Sequence, residues 1–187
     1  MKKILLILFI CISLNTPNIS AMGTKPLPAP QKLESNGFQE IFVSVDRLYI
    51  SGQPDEKSFS KLKNMGVTTI INLRTKMEMN NRNSVPFDEE KVVRDLGMDY
   101  VHIPLGGPDN PYNKEALDKF AKAYEAASGN VLLHCTVAYR ASHLWAAYLI
   151  KYKDYSPERA IENAKAINFG ELPLEGFLGK KLKYKIE

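Results

Sequence analysis

The sequence has few residues of the two types that most often form disulfides or bind metal ions. Among its 187 residues are two cysteines, Cys11 and Cys135, and three histidines. Cys11 lies in an apolar run near the N-terminus; if that run is removed as a targeting segment, no intramolecular disulfide can form. His102 and His143 have no metal-ligand spacing with other His, Cys or carboxylate residues. We therefore expect no metal and no cofactor.

A strong charge of one sign and a membrane-spanning hydrophobic run are also missing. The formal net charge of +4 is too small to indicate nucleic acid as the main partner. The apolar run at residues 4–14 has about eleven residues, too few to span a bilayer. It follows Lys2 and Lys3 and precedes Ile-Ser-Ala at 19–21, the pattern of a secretory signal peptide. We expect cleavage of residues 1–21, secretion into the periplasm, and no stable membrane insertion afterwards.

The rest of the chain has the length and pattern of one α/β domain. Residues 22–40 include three prolines and predict an extended linker. Over residues 41–187, short β-branched runs alternate with helical segments, which predicts a mostly parallel central sheet flanked by helices on both faces. In such sheets, ligands bind at the carboxyl ends of the strands.

Periodicity and capping residues predict the individual elements. Glycines at 66, 97 and 129 are expected to end the first three helices. The predicted strands are 41–45, 48–50, 67–72, 99–103 and 131–134, and the predicted helices are 54–65, 87–96, 113–128, one from Arg140 and one from Ser156.

The segment 131–140 joins an apolar strand to a reactive residue type. The strand ends at His134, Cys135 follows, and after four more residues Arg140 begins a helix. Inward-facing loop N–H groups and the positive end of the helix dipole would form an anion site. A thiol in such a setting becomes a thiolate nucleophile. The alternative interpretation is a small apolar Cys that ends a buried strand beside an unrelated Arg.

His-Cys, a short loop and Arg resemble the signature of cysteine-dependent protein tyrosine and dual-specificity phosphatases. Further segments occur in that family's order, and together they resemble the bacterial branch related to the beta-lactamase-hydrolase-like phosphatase domain. The resemblance covers residues 42–167 and implies a phosphatase-like domain that hydrolyses phosphate monoesters. The segments are S-G-Q-P at 51–54, I-I-N-L-R at 70–74, Y-V-H-I-P-L at 100–105 and L-W-A-A-Y-L at 144–149.

The resemblance implies a role for each residue of the catalytic centre. Cys135 is the nucleophile that forms a phosphocysteine, and Arg140 holds phosphate oxygens through its planar guanidinium. Asp109, in the Gly- and Pro-rich loop 104–111, corresponds to the general acid; the alternative is that it only shapes a turn. The substrate is a phosphorylated protein or small molecule. The loop residues that bind the phosphate are Thr136, Val137, Ala138 and Tyr139.

Three further residues are candidates for supporting roles. The family resemblance implies that His134 orders the loop through hydrogen bonds. Ser142 either stabilises the leaving thiolate or packs within its helix. Arg74 is a candidate for substrate binding, although support of the loop and a surface ion pair are equally open.

The loop departs from the common phosphatase signature in two ways. It has four residues between Cys135 and Arg140 where five are common, and four is also the spacing of the rhodanese sulfurtransferase loop. It contains no Gly, and the β-branched Val137 is poorly suited to the positive φ that turns N–H groups inward. Two alternative functions therefore stay open: a rhodanese-like sulfurtransferase with a persulfide on Cys135, and a catalytically weak phosphate-binding module.

Overall fold

The structure is a computed structural model that describes residues 27–171 and 174–182. The predicted signal peptide, residues 1–21, and Cys11 lie outside the described residues. Within these ranges, no helix is long and apolar enough to cross a bilayer.

A six-stranded sheet forms the centre of the protein, in the order β1-β2-β3-β6-β4-β5. The neighbouring pairs β1–β2 and β2–β3 are antiparallel, whereas β3, β6, β4 and β5 run parallel. The prediction of a mostly parallel sheet is therefore confirmed. The strands are β1 Gln31–Lys32, β2 Phe42–Val45, β3 Leu48–Ser51, β4 Val67–Asn72, β5 Asp99–His102 and β6 Asn130–His134.

The parallel strands end together at one edge of the sheet. His134 at the end of β6 pairs with Ser51 at the end of β3 and with Asn72 at the end of β4, and Asn72 in turn pairs with His102 at the end of β5. The loops that follow these four strands must therefore meet above the same edge. Cys135 begins the central loop of this group.

Helices cover both faces of the sheet, as the sequence predicted. Side chains alternate along β6, so that Val131 and Leu133 face one core while Leu132 faces the other. The larger core packs against α4 to α7, and the smaller core against α1 and α3. The helices are α1 Ser58–Asn64, α2 Lys76–Asn80, α3 Glu89–Asp95, α4 Lys114–Ala126, α5 Tyr139–Tyr152, α6 Pro157–Lys165 and α7 Leu174–Leu178.

Several helix boundaries differ from the prediction, and two of the differences have a clear structural cause. The helix expected from residue 54 begins at Ser58, because Pro54 forms a β-bridge with Phe38 that keeps this part of the chain extended. The helix expected to reach residue 128 ends at Ala126. There Arg47 donates to the carbonyl oxygens of Tyr124, Ala127 and Gly129, so a long-range cap replaces the expected glycine stop.

Three elements were not predicted. The strand β1 lies within residues 22–40, where an extended linker was expected, and pairs with β2. Phe38 of the same segment is buried and stacks on Phe42 at a centroid distance of 4.0 Å. The short helices α2 and α7 have five residues each, which is below the length at which periodicity identifies a helix.

Candidate active site

Cys135 lies at the carboxyl end of the central strand β6 and is 1% exposed. It is a free thiol, and its backbone N–H donates to the Ser51 carbonyl at 3.4 Å. The residues described include no cluster of three or more His, Cys, Asp and Glu side chains that could hold a metal ion. The strand thus delivers one sulfur atom to the edge where four loops meet.

Residues outside the loop after Cys135 hold its backbone by donating hydrogen bonds to its carbonyl groups. The Thr136 carbonyl accepts from the Gln53 N–H at 2.8 Å, and the Val137 carbonyl accepts from Asn168 Nδ2 at 2.6 Å. In a trans peptide the N–H points opposite to the C=O, so the N–H groups of residues 137 and 138 turn away from these outer partners. The first N–H groups of α5 have no intrahelical acceptor either. These N–H groups are candidate donors for an anion.

Ala138 takes the left-handed conformation that the loop requires. Its φ is 63° and its ψ is 2°, and it caps α5 without a side-chain hydrogen bond. The strain expected for a Gly-free loop is therefore present, but at Ala138 and not at Val137. Alanine bears it with a single methyl group, whereas a β-branched residue would be a clear outlier in this region.

Arg140, in the first turn of α5, is fixed by five contacts. Its Nη1 donates to the carbonyl oxygens of Leu105 (2.7 Å) and Leu73 (3.3 Å), and its Nη2 donates to Thr136 Oγ1 at 2.9 Å. The Glu78 carboxylate binds both nitrogens, at 2.8 and 2.7 Å. Burial alone would lower the pKa of Arg140, but the hydrogen bonds to Glu78 and the charges of Cys135 and Glu78 raise it. The guanidinium is thus a permanent cation in a set orientation.

Glu78 was missed by the sequence analysis, although a local signal marks it. Thr75-Lys76-Met77-Glu78 has the spacing of a capping box, and both of its hydrogen bonds form at the start of α2. The box holds the carboxylate over the Cys135 loop, where it also accepts from Thr136 Oγ1 at 2.9 Å. Burial opposes ionisation of Glu78, but the hydrogen bond from Arg140 prevails and holds its pKa well below the ordinary 4.5.

Glu89, also missed, lies on the buried side of the loop. Its carboxylate contacts four side chains: Gln53 Nε2 at 2.6 Å, Asn72 Nδ2 at 2.7 Å, His134 Nε2 at 3.0 Å and Tyr100 Oη at 3.2 Å. Burial would raise the pKa of Glu89, but the charge of His134 and these hydrogen bonds lower it. His134 Nε2 is therefore tied to a buried network, whereas its buried Nδ1 has no hydrogen-bond partner among the described residues. Its role in ordering the loop stays a prediction.

Arg74, a candidate for substrate binding, is 4% exposed. Its Nη1 donates to Gln53 Oε1 at 2.7 Å, and its Nε lies 3.6 Å from Glu78 Oε1. This geometry connects the Glu89 network to Glu78 beneath the loop. Of the roles considered for Arg74, it favours support of the loop.

The hydroxyl groups of Ser142 and Tyr139 are bonded to backbone carbonyl groups. Ser142 Oγ lies 2.8 Å from the carbonyl oxygens of both Tyr139 and Asn168. Tyr139 Oη donates to the Glu171 carbonyl at 2.9 Å. Of the two roles considered for Ser142, this geometry favours packing of α5 against the segment that follows α6.

Asp109 lies in an exposed turn after β5, three residues beyond Gly106. With Thr75, Met77, Gly106 and other residues it lines a cleft of about 490 Å³. Gly106 joins this cleft to the loop, because a β-carbon at its position would lie 3.8 Å from Arg140 Nη1 and 3.9 Å from Thr75 Cγ2. Asp109 thus shares a cleft with Gly106, which lies near the Arg140 guanidinium, and its role as general acid stays a prediction.

The parallel sheet, the buried Cys at the end of its central strand and the Arg-anchored loop define the class of protein tyrosine phosphatase-like folds. Solved structures confirm this class. The TpbA structure of P. aeruginosa in complex with pTyr has a TM-score of 0.55 at 17% identity, over 73% of this chain and 77% of that one. At this identity the likeness extends to the fold alone.

More similar sequences identify the family. Residues 41–149 match the family described as beta-lactamase hydrolase-like protein, phosphatase-like domain, and the chain belongs to it. A candidate phosphatase (DUF442) from Shewanella putrefaciens CN-32 is 31% identical, with a TM-score of 0.60, over 77% of this chain and 91% of that one. The beta-lactamase hydrolase-like protein of Xylella fastidiosa Temecula1 is 33% identical over 101 residues. These are 54% of this chain but only 23% of that relative.

Proposed function

We propose that this protein is a cysteine-dependent phosphatase that hydrolyses phosphate monoesters. The observation that carries the proposal is the loop around Cys135: its carbonyl groups are bonded outward, and Arg140 is clamped by Glu78. This arrangement leaves N–H donors and a cation beside one thiol. A dianionic phosphoryl group suits such a site because donors and cation are already oriented before the ligand binds.

The reaction proceeds in two steps. The Cys135 thiolate attacks phosphorus, a P–S bond forms, and the ester P–O bond breaks as Asp109 donates a proton to the departing oxygen. Water then attacks the phosphocysteine, and the P–S bond breaks to release inorganic phosphate and the thiolate. Arg140 and the loop N–H groups of residues 137–139 stabilise the phosphoryl oxygens throughout.

The most direct probe is an aryl phosphate. The structural relative TpbA was crystallised with pTyr, and an aryl ester tests the same bond here. We expect the protein to release phosphate from phosphotyrosine and from p-nitrophenyl phosphate, and Cys135→Ser to abolish this activity because the hydroxyl is a far weaker nucleophile at neutral pH. Turnover that survives in Cys135→Ser would contradict the covalent mechanism.

A substitution at Asp109 tests the acid. Asp109→Asn should slow a poor leaving group, such as an alkyl phosphate, by about 10²- to 10⁴-fold. It should affect p-nitrophenyl phosphate much less, since nitrophenolate departs with little protonation. Equal losses on both substrates would mean that Asp109 shapes its loop and does not deliver the proton.

The two alternative functions make different predictions in the same assays. A rhodanese-like sulfurtransferase would turn over thiosulfate and cyanide and leave aryl phosphates intact. A phosphate-binding module would bind inorganic phosphate without turning over either substrate. Either result would replace the proposed function.

The proposed function also includes export of the protein to the periplasm. The pattern at residues 1–21 supports secretion into the periplasm, where Cys135 would be the single thiol of the processed chain. N-terminal sequencing of protein recovered from the periplasm of a bacterial host should begin at Met22. An unprocessed protein in the cytoplasmic fraction would contradict this part.

A further inference from the structure

Tyr112 is a polar side chain beside the site for which the reaction as described has no use. It lies between the Asp109 turn and α4, and its phenolic hydroxyl has no hydrogen-bond partner among the residues that the structure describes. A β-carbon built on Gly106 would lie 3.9 Å from Tyr112 Oη and 3.8 Å from Arg140 Nη1. The phenol and the guanidinium thus both border the space that a side chain at position 106 would fill.

The fold holds this tyrosine in place from behind. Its ring packs edge-on against the fully buried Phe177 of α7, with a centroid distance of 5.5 Å and an interplanar angle of 76°. Gly176 allows α7 to approach so closely that a β-carbon there would lie 2.2 Å from the Tyr112 carbonyl oxygen. Asn113, the next residue, caps α4 through the Ala116 N–H. The ring and the backbone of Tyr112 are therefore held by two helices, unlike the exposed Asp109.

The electrostatic surroundings of Tyr112 are those of the Cys135 loop. Burial raises the pKa of its phenol; Arg140 opposes the shift, and the charges of Cys135 and Glu78 add to it. The phenol consequently stays protonated at neutral pH and can only donate to an anion that enters the loop. A free donor next to Arg140 extends the set of donors already described.

We propose that the Tyr112 hydroxyl donates a hydrogen bond to a nonbridging oxygen of the phosphoryl group bound in the Cys135 loop. The inference rests on the proposed function for the identity of the anion. It makes Tyr112 a substrate-contacting residue whose position depends on α7.

Tyr112→Phe tests the proposal, because it removes the hydroxyl and keeps the ring that packs on Phe177. The measurement is a calorimetric titration with inorganic phosphate, which needs no turnover. We expect about tenfold weaker phosphate binding with an unchanged melting temperature. The matched control is Tyr152→Phe at the far end of α5, where the hydroxyl bonds Asp118; it should bind phosphate like the wild type.

The other outcomes are equally decisive. Unchanged phosphate affinity in Tyr112→Phe would overturn the proposal, and so would a loss confined to the turnover of poor leaving groups, which would place the phenol at the departing oxygen. Absence of phosphate binding by the wild type would overturn the proposal and the proposed function together. If the wild type binds phosphate but shows no phosphatase turnover, weaker phosphate binding by Tyr112→Phe would uphold the proposed role of Tyr112 and reject the proposed function.

Discussion

Two glutamates flank Cys135, and they differ in almost every respect except their charge. Glu89 contacts His134, the residue before Cys135, and its side chain is 1% exposed. Glu78 contacts Thr136, the residue after Cys135, and its side chain is 26% exposed. The first carboxylate binds groups from all four parallel strands or the residues that directly follow them. The second binds the loop and its arginine.

The difference separates what holds the loop in place from what prepares it for a ligand. Gln53, Asn72, Tyr100 and His134 converge on Glu89 from the β3, β4, β5 and β6 regions, so Glu89 joins the strand ends that carry the site. Glu78 orients the guanidinium of Arg140 at the accessible side. We therefore expect changes at Glu89 to act mainly on stability and changes at Glu78 mainly on ligand binding and turnover.

Of the changes at these two glutamates, we expect Glu89→Ala to have the largest effect, which is on the free energy of unfolding. Removal of the carboxylate leaves three buried polar side chains and the half-buried Tyr100 hydroxyl without their common partner. A buried polar group left unsatisfied costs about 1–3 kcal/mol, so together these losses should amount to at least about 3 kcal/mol. The free energy of unfolding, measured by denaturant titration, should fall by this amount. Glu90→Ala on the same helix is the matched control, because its ion pair with Arg94 is half exposed and worth less than about 1 kcal/mol. Similar losses in both variants would show that the Glu89 network does not support the sheet edge.

The next effect is that of Glu78→Gln. The amide cannot form the bidentate ion pair, so Arg140 loses its orientation, and a displacement of about 1 Å at a catalytic group costs about 10²-fold in rate. We expect kcat/KM for an aryl phosphate to fall by that order. The unfolding free energy at pH 7 should fall as well, by less than in Glu89→Ala, because the stabilisation from the Glu78 ion pair is lost. Glu56→Gln, an exposed site with the same change in charge, should leave both quantities unchanged.

Acid titration gives Glu78→Gln a second readout. The pKa of Glu78 is lower in the native protein than its ordinary 4.5, so below about pH 5 the unfolded chain binds a proton that the native protein does not. The stabilisation from Glu78 is therefore present above this pH and is lost as the pH falls. The unfolding free energy of Glu78→Gln should decline less steeply between about pH 5 and 3 than that of the wild type. Equal slopes would mean that the ion pair with Arg140 is not formed in solution.

Neither glutamate was predicted from the sequence, and the reason differs between them and the elements that were predicted. The strands, the Cys135 loop and the helix after it were predicted because hydrophobic periodicity and helix caps are local signals. Glu78 has a local signal as well, the capping box that begins at Thr75, but α2 is too short to show periodicity. No local signal in the sequence identifies the partners of Glu89. Its neighbours on α3 are charged and exposed, and its burial depends on contacts with residues 11 to 45 positions away.

The smallest expected effect is at Ala138, between the loop and α5. Ala138→Gly removes left-handed strain of roughly 1–2 kcal/mol, but it also frees the unfolded chain by roughly 0.4–1 kcal/mol and deletes a buried methyl group worth about 0.8 kcal/mol. The unfolding free energy should therefore change by less than about 1 kcal/mol. If strain keeps the N–H groups from facing fully inward, phosphate affinity should rise, by no more than about fivefold.

Ala147→Gly is the matched control for Ala138→Gly, because Ala147 is equally buried but lies within α5. There glycine relieves no strain, and the helix loses about 1 kcal/mol in propensity in addition to a methyl group. The unfolding free energy from denaturant titration should thus be clearly lower for Ala147→Gly than for Ala138→Gly. An equal loss of stability in both would show that the left-handed turn at Ala138 costs little. A fall in phosphate affinity in Ala138→Gly would show that the native loop is already well organised without glycine.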